Sequence, residues 1–127
     1  MSATICLALV IFLESGIEPT EGKIATGWSV VNASRTLHDH PVKVCKEVFS
    51  GRYMAVNNMH EEPRGKQWKN SLQIARQILK GKVTDPTHGA QYFECTRWAS
   101  CKVPPYWAEG MQNMGMFGSQ IFYREVR

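Results

Sequence analysis

The sequence predicts an α+β chain, with a mainly helical lobe followed by a small C-terminal antiparallel β-hairpin lobe. Three observations predict it. Residues 5–13 (ICLALVIFL) are an unbroken apolar run, as in a helix surrounded by the rest of a fold. Over residues 67–82, Trp68, Leu72, Ala75 and Leu79 share one helical face, with Ile78 beside them and Lys and Arg opposite. Near the C-terminus, residues 111–116 and 120–123 flank Phe117-Gly118-Ser119, the pattern of two strands joined by a glycine turn.

Composition sets the frame for these elements. A chain of 127 residues predicts one domain, residues 1–127, and 43% hydrophobic against 20% charged residues makes it globular rather than disordered. A formal charge of +4 suits an anionic partner without choosing among cell wall, membrane surface and nucleic acid. The four cysteines contain no CxxC pair, and His88 near Cys95 fits no standard zinc spacing, so no metal or cofactor is expected. Cys6, inside the apolar run, reads as a small buried hydrophobe. Cys95 and Cys101 flank TRWAS and either remain thiols or, in an oxidising compartment, close a short disulfide loop.

The first helix is expected over residues 2–14. No Lys or Arg precedes its apolar run and no small-x-small cleavage pattern follows, so a core helix is expected rather than a leader. The run falls short of the ~20 apolar residues that cross a bilayer, so no stable membrane insertion is expected. Gly16 ends the helix and Pro19 resists helical continuation. Thr20 is placed to cap a second helix carrying Glu21 in its first turn. Ile24, Trp28, Val31 and Arg35 mark its buried face, with Asn32 at the edge as a cleft-facing group or a satisfied surface amide. Pro41 opens a short helix over residues 42–49. The polar stretch 50–66 is either a flap over a groove, with Arg52 and Tyr53 as contacts, or a plain surface loop. The amphipathic helix follows, with Gly81 as its C-terminal stop. Asp85-Pro86-Thr87 is a turn and residues 90–95 a candidate strand. Tyr92, Tyr106, Trp107 and Tyr123 pack in the core or stack on a ligand.

Glu14 is the residue around which the chemistry is expected to centre. A carboxyl group delivered by a buried helix into a polar loop has the setting of a general acid. Glu18, Asp85 and Glu94 are candidates for a second carboxylate.

In order, the chain carries Phe12-Leu13-Glu14-Ser15-Gly16-Ile17-Glu18-Pro19, then Gly22 and Val30-Val31-Asn32, then Val44-Cys45-Lys46-Glu47-Val48-Phe49. Asp85-Pro86-Thr87-His88-Gly89-Ala90, Pro105-Tyr106-Trp107-Ala108 and Phe122-Tyr123-Arg124 follow. This ordered set resembles the SleB-like cell wall hydrolases of the spore-cortex-lytic type. The chain departs from that pattern at Leu13 (usually His), Gly16 and Ala33 (usually Arg) and Gln120 (often His). The Glu14-Ser15 pair is also similar to the Glu-Ser of goose-type lysozymes and soluble lytic transglycosylases. The resemblance implies a lysozyme-like fold and cleavage of the β-1,4 bond between N-acetylmuramic acid and N-acetylglucosamine. It implies Glu14 as the catalytic acid/base, with lytic transglycosylation favoured over hydrolysis. Ser15, Asn32, Tyr53, Tyr92, Trp107 and Tyr123 are the expected substrate contacts, and Glu18 is a possible second carboxylate. The expected partner is the peptidoglycan glycan strand rather than nucleic acid, and the expected state is a monomer. A phage-type endolysin, held in the host cytoplasm until it reaches the wall, fits this pattern. An N-acetylmuramoyl-L-alanine amidase and a non-catalytic wall-binding protein are the alternatives.

Overall fold

The computed structural model describes residues 2–38, 40–47 and 63–126. Its order is α1 (Ala3–Ser15), α2 (Thr20–Thr36), α3 (Pro41–Glu47), α4 (Lys66–Leu79), then β1 (Tyr92–Cys95), a short 3-10 turn (Tyr106–Ala108), β2 (Gln112–Phe117) and β3 (Gln120–Arg124). The expected helical lobe and small β lobe are both present.

Helix α1 is the centre of the helical lobe. Ser2 caps it, its hydroxyl accepting from Ile5 N at 3.1 Å. Cys6 through Ile11 are buried on every side, with α2, α3 and α4 packed around them. The apolar run is therefore core, and among the described residues no helix is long and apolar enough to cross a membrane.

Helix α2 is as deeply buried as α1 but achieves it differently. Its inward residues include Gly22, Ala25, Thr26, Gly27, Ser29 and Ser34. The Ser29 and Ser34 hydroxyls donate to carbonyls of their own helix at 2.6 and 2.7 Å, and the single Thr26 hydroxyl hydrogen is shared between Gly22 O and Gln120 Oε1, each 3.0 Å away, so none is buried unsatisfied. Small side chains let neighbouring helices approach closely. A Cβ at Gly27 would stand 2.5 Å from Ile78 Cδ1 and 3.1 Å from Ile11 Cδ1. Thr20 does not cap this helix. Pro19 occupies the cap position, where its fixed φ suits helix entry but no side chain accepts a hydrogen bond.

Helix α4 turns its face slightly from the expected one. Trp68, Ser71, Ile74, Ala75 and Ile78 point inward, Leu72 is partly buried, and Leu79 is 38% exposed. The 3.6-residue period carries Leu79 past the edge of the buried stripe. Gly81 does stop the helix, with φ +69° and Lys82 N donating back to Gln77 O at 2.9 Å.

Cys6 is more than a buried hydrophobe: it is joined to Cys45 and fastens α3 to α1. Cys95 and Cys101 form the second disulfide.

The expected hairpin is β2–β3, turning at Gly118-Ser119. Strand β1 pairs with the other edge of β3, giving an antiparallel sheet in the order β1-β3-β2. Strand alternation then divides the aromatic residues. Phe93 and Phe122 face Ala25 of α2 and Ala90, forming a second core. Tyr92 and Tyr123, opposite each other in the ladder, pack on Trp107 with ring centroids 5.8 and 5.4 Å away.

Both of these phenols are held above their ordinary value of 10.0. For Tyr92 the cause is burial, then the hydrogen bond to Glu125 and its charge; for Tyr123 it is burial, then the charge of Glu94. A raised folded-state pKa gives stability that is complete below the unfolded value and is lost as pH climbs through the folded one. Thermal melts should therefore show the melting temperature falling above about pH 10, and Tyr92→Phe should blunt the fall.

Candidate active site

The last turn of α1 and the loop after it form one wall of a cleft of ≈ 220 Å³. Glu14, Ile17 and Glu18 face Phe93, Glu94, Cys95, Arg97, Trp98, Ser119 and Gln120 across it. Glu14 is half-buried at the end of the apolar helix. Gln120 steadies that end: its Nε2 donates to Glu14 O at 3.1 Å, while its Oε1 accepts from Thr26 Oγ1 at 3.0 Å. The residue standing where the SleB-like pattern often has histidine is thus a buried amide bridging α1, α2 and β3.

Glu18 is only 7% exposed. Its Oε1 accepts from Ser119 N at 3.0 Å and from Ser119 Oγ, and its Oε2 pairs with Arg97 Nη2 at 3.1 Å. The hairpin turn makes this possible. Gly118, at φ +60°, passes so close to Pro19 and Glu18 that a Cβ there would meet their side-chain atoms at 3.1–3.3 Å. Ser119 also accepts at its carbonyl from Thr96 N at 2.9 Å and Thr96 Oγ1 at 2.6 Å. One serine therefore ties Glu18 to the loop that begins at Cys95.

Several expected contacts lie elsewhere. The Ser15 hydroxyl is fully buried and donates to Ile11 O at 2.8 Å, because its position on α1 turns it to the core. The Asn32 Nδ2 donates both its hydrogens within the protein, to Asp85 Oδ2 at 2.8 Å and Ala90 O at 2.9 Å. Asp85 also accepts from Thr87 N, Thr87 Oγ1 and Gly89 N at 2.7–2.9 Å. The Asp-Pro-Thr-x-Gly-Ala segment is accordingly a latch onto Asn32, and Asp85 does not line the Glu14 cleft. Tyr92, Trp107 and Tyr123 are brought together, but on the sheet face away from the second core, and none lines the cleft. Tyr53 lies outside the described residues.

Glu94, Cys95 and Cys101 place ligand-type atoms within 4.8 Å of one another. Both sulfurs are spent in a disulfide, so they have no thiolate to offer a metal.

The sequence reading missed Arg97, Trp98, Ser119 and Gln120 as cleft residues. Its one available signal was TRWAS itself, a short segment between two cysteines that carries a cation and a large aromatic side chain just beyond Glu94.

A half-buried carboxyl group at a helix end, facing a polar cleft with further acids and an exposed tryptophan, is an arrangement suited to glycosidic-bond chemistry. The chain belongs to the SleB-like cell wall hydrolases: the family model described as cell wall hydrolase matches residues 17–123. Membership makes peptidoglycan the substrate class. Glu18, Arg97, Ser119 and Gln120 fall within the matched span, and Glu14 lies just before it. No curated protein and no solved structure matches the chain.

Proposed function

We propose that this protein cuts the glycan strand of peptidoglycan at the β-1,4 bond between N-acetylmuramic acid and N-acetylglucosamine, with Glu14 as its single acid/base. The observation carrying this reading is the different burial of two neighbouring carboxylates lining one cleft. Glu14 is half-buried, whereas Glu18 is only 7% exposed, with Ser119 and Arg97 on its two oxygens. Glu18 is thereby suited to holding the site together rather than to activating water.

With one working acid, the balanced scheme is intramolecular transglycosylation. The Glu14 carboxyl group gives its proton to the leaving N-acetylglucosamine oxygen as the bond to muramic C1 breaks. The resulting carboxylate then takes the proton of the muramic C6 hydroxyl, whose oxygen closes onto C1. The product is a 1,6-anhydro end, and no water is consumed. Hydrolysis by a muramidase is the second reading, favoured by Glu94, a further carboxylate on the cleft wall.

A phage-type endolysin acting as a monomer, held in the host cytoplasm before release, is the setting we propose. The +4 charge suits contact with an anionic envelope. Digestion of purified peptidoglycan tests the bond assignment. Cut glycan strands support it, whereas free stem peptides with intact glycan would mark an amidase and overturn it.

A further inference from the structure

We propose that the disulfide-closed loop between Cys95 and Cys101 is the saccharide-binding wall of the Glu14 cleft, with Trp98 as its stacking platform. This rests on reading that cleft as a glycan cleft. Trp98 lines the cleft yet is 60% exposed, although tryptophan is a side chain that folding ordinarily buries for the most part. An exposed indole offers a flat apolar face and one N–H at its edge. That combination fits the C–H face and peripheral hydroxyls of an N-acetylhexosamine ring.

The residues around Trp98 are pinned while its ring is left uncovered. Cys95 and Cys101 close the loop, and Cys101 N donates to Trp98 O at 3.0 Å. Thr96 donates to Ser119 O from both its backbone and its hydroxyl. Arg97 is held by the buried carboxylate of Glu18 at 3.1 Å. A large ring on a stiffened loop loses little conformational freedom when it meets a ligand, so more of the contact energy remains as affinity. Glu18 acts here as a positioning residue, through Arg97 and Ser119. The other aromatic candidates differ: Tyr92, Trp107 and Tyr123 are buried or half-buried and packed on one another outside the cleft, and Tyr106, although exposed, does not line it.

The test uses soluble oligosaccharides of alternating N-acetylglucosamine and N-acetylmuramic acid. Affinity is measured by calorimetry in the Glu14→Gln background and turnover in the Glu14 protein. Trp98→Ala should weaken binding and raise KM about tenfold, the scale of losing one central aromatic contact. Its kcat should stay within about twofold and its melting temperature should not move. Trp98→Phe should recover most of the loss. Cys95→Ser/Cys101→Ser should raise KM in the same direction, and adding Trp98→Ala to it should cost little more, because the two act on one contact. A Trp98→Ala protein that binds and turns over like its parent overturns the proposal, as does a loss confined to kcat. Full activity in Glu14→Gln would instead overturn the reading of the cleft itself.

Discussion

Replacing Glu14 with Gln is expected to reduce peptidoglycan cleavage by about 10³-fold, the range associated with losing a positioned general acid. The fold should not change. Glu14 is half-buried at a helix end, and one link between that end and the β lobe runs through its backbone carbonyl to Gln120, which the substitution leaves in place. Glutamine keeps that carbonyl and nearly the same side-chain volume, but has no acidic proton to deliver. Circular dichroism and thermal melting should match the parent while turnover collapses. Turnover near the parental rate would remove Glu14 from the chemistry and leave Glu94 as the first carboxylate of the cleft to examine.

The second large effect concerns stability. Cys6 and Cys45 are 39 residues apart and join the central helix to α3. Opening a loop of that length by Cys6→Ala/Cys45→Ala should lower unfolding free energy by about 4 kcal/mol, chiefly by freeing the unfolded chain. Cys95 and Cys101 are only 6 apart, and the same treatment there should cost about 2 kcal/mol. Urea denaturation of the two double variants gives the comparison. The core bridge should dominate stability and the cleft bridge should dominate substrate binding. Equal losses from the two pairs would contradict the loop-length argument.

The parts of the fold legible in the sequence were those written as one-dimensional patterns. The apolar run of α1, the period of α4 and the glycine turn at Gly118 each need only neighbouring residues to be read. The burial of α2 was harder to see, because its inward side is built from Gly, Ala, Ser and Thr, whose hydroxyls are satisfied by their own helix. A hydropathy pattern registers such a face as neutral. The pairing of β1 with β3 and of Cys6 with Cys45 depends on long-range approach, which no local pattern encodes.

The site divides in the same way. Glu14 stood out because an apolar helix points to it. The opposing wall joins Glu18 to Ser119 across 101 positions and to Arg97 across 79, so it forms only when the chain folds. Asn32 drew notice as a polar residue at the edge of an apolar face. Its role became clear only through Asp85 and Ala90, which turn it from an expected substrate contact into the anchor of a loop. Ser15 shows the limit of reading by adjacency, since a residue next to the catalytic candidate can point the opposite way. Tyr92 and Tyr123 of the sheet pack instead with Trp107 of the 3-10 turn, a cluster made by long-range approach, and none of the three lines the cleft.

The most direct measurement is digestion of purified peptidoglycan in heavy-oxygen water, with the muramic ends identified by mass. One acid working without an activated water should leave anhydro-muramic ends that carry no label, and Glu14→Gln should release none. Labelled reducing ends would show that water attacks and that a second carboxylate takes part, contradicting single-acid catalysis by Glu14.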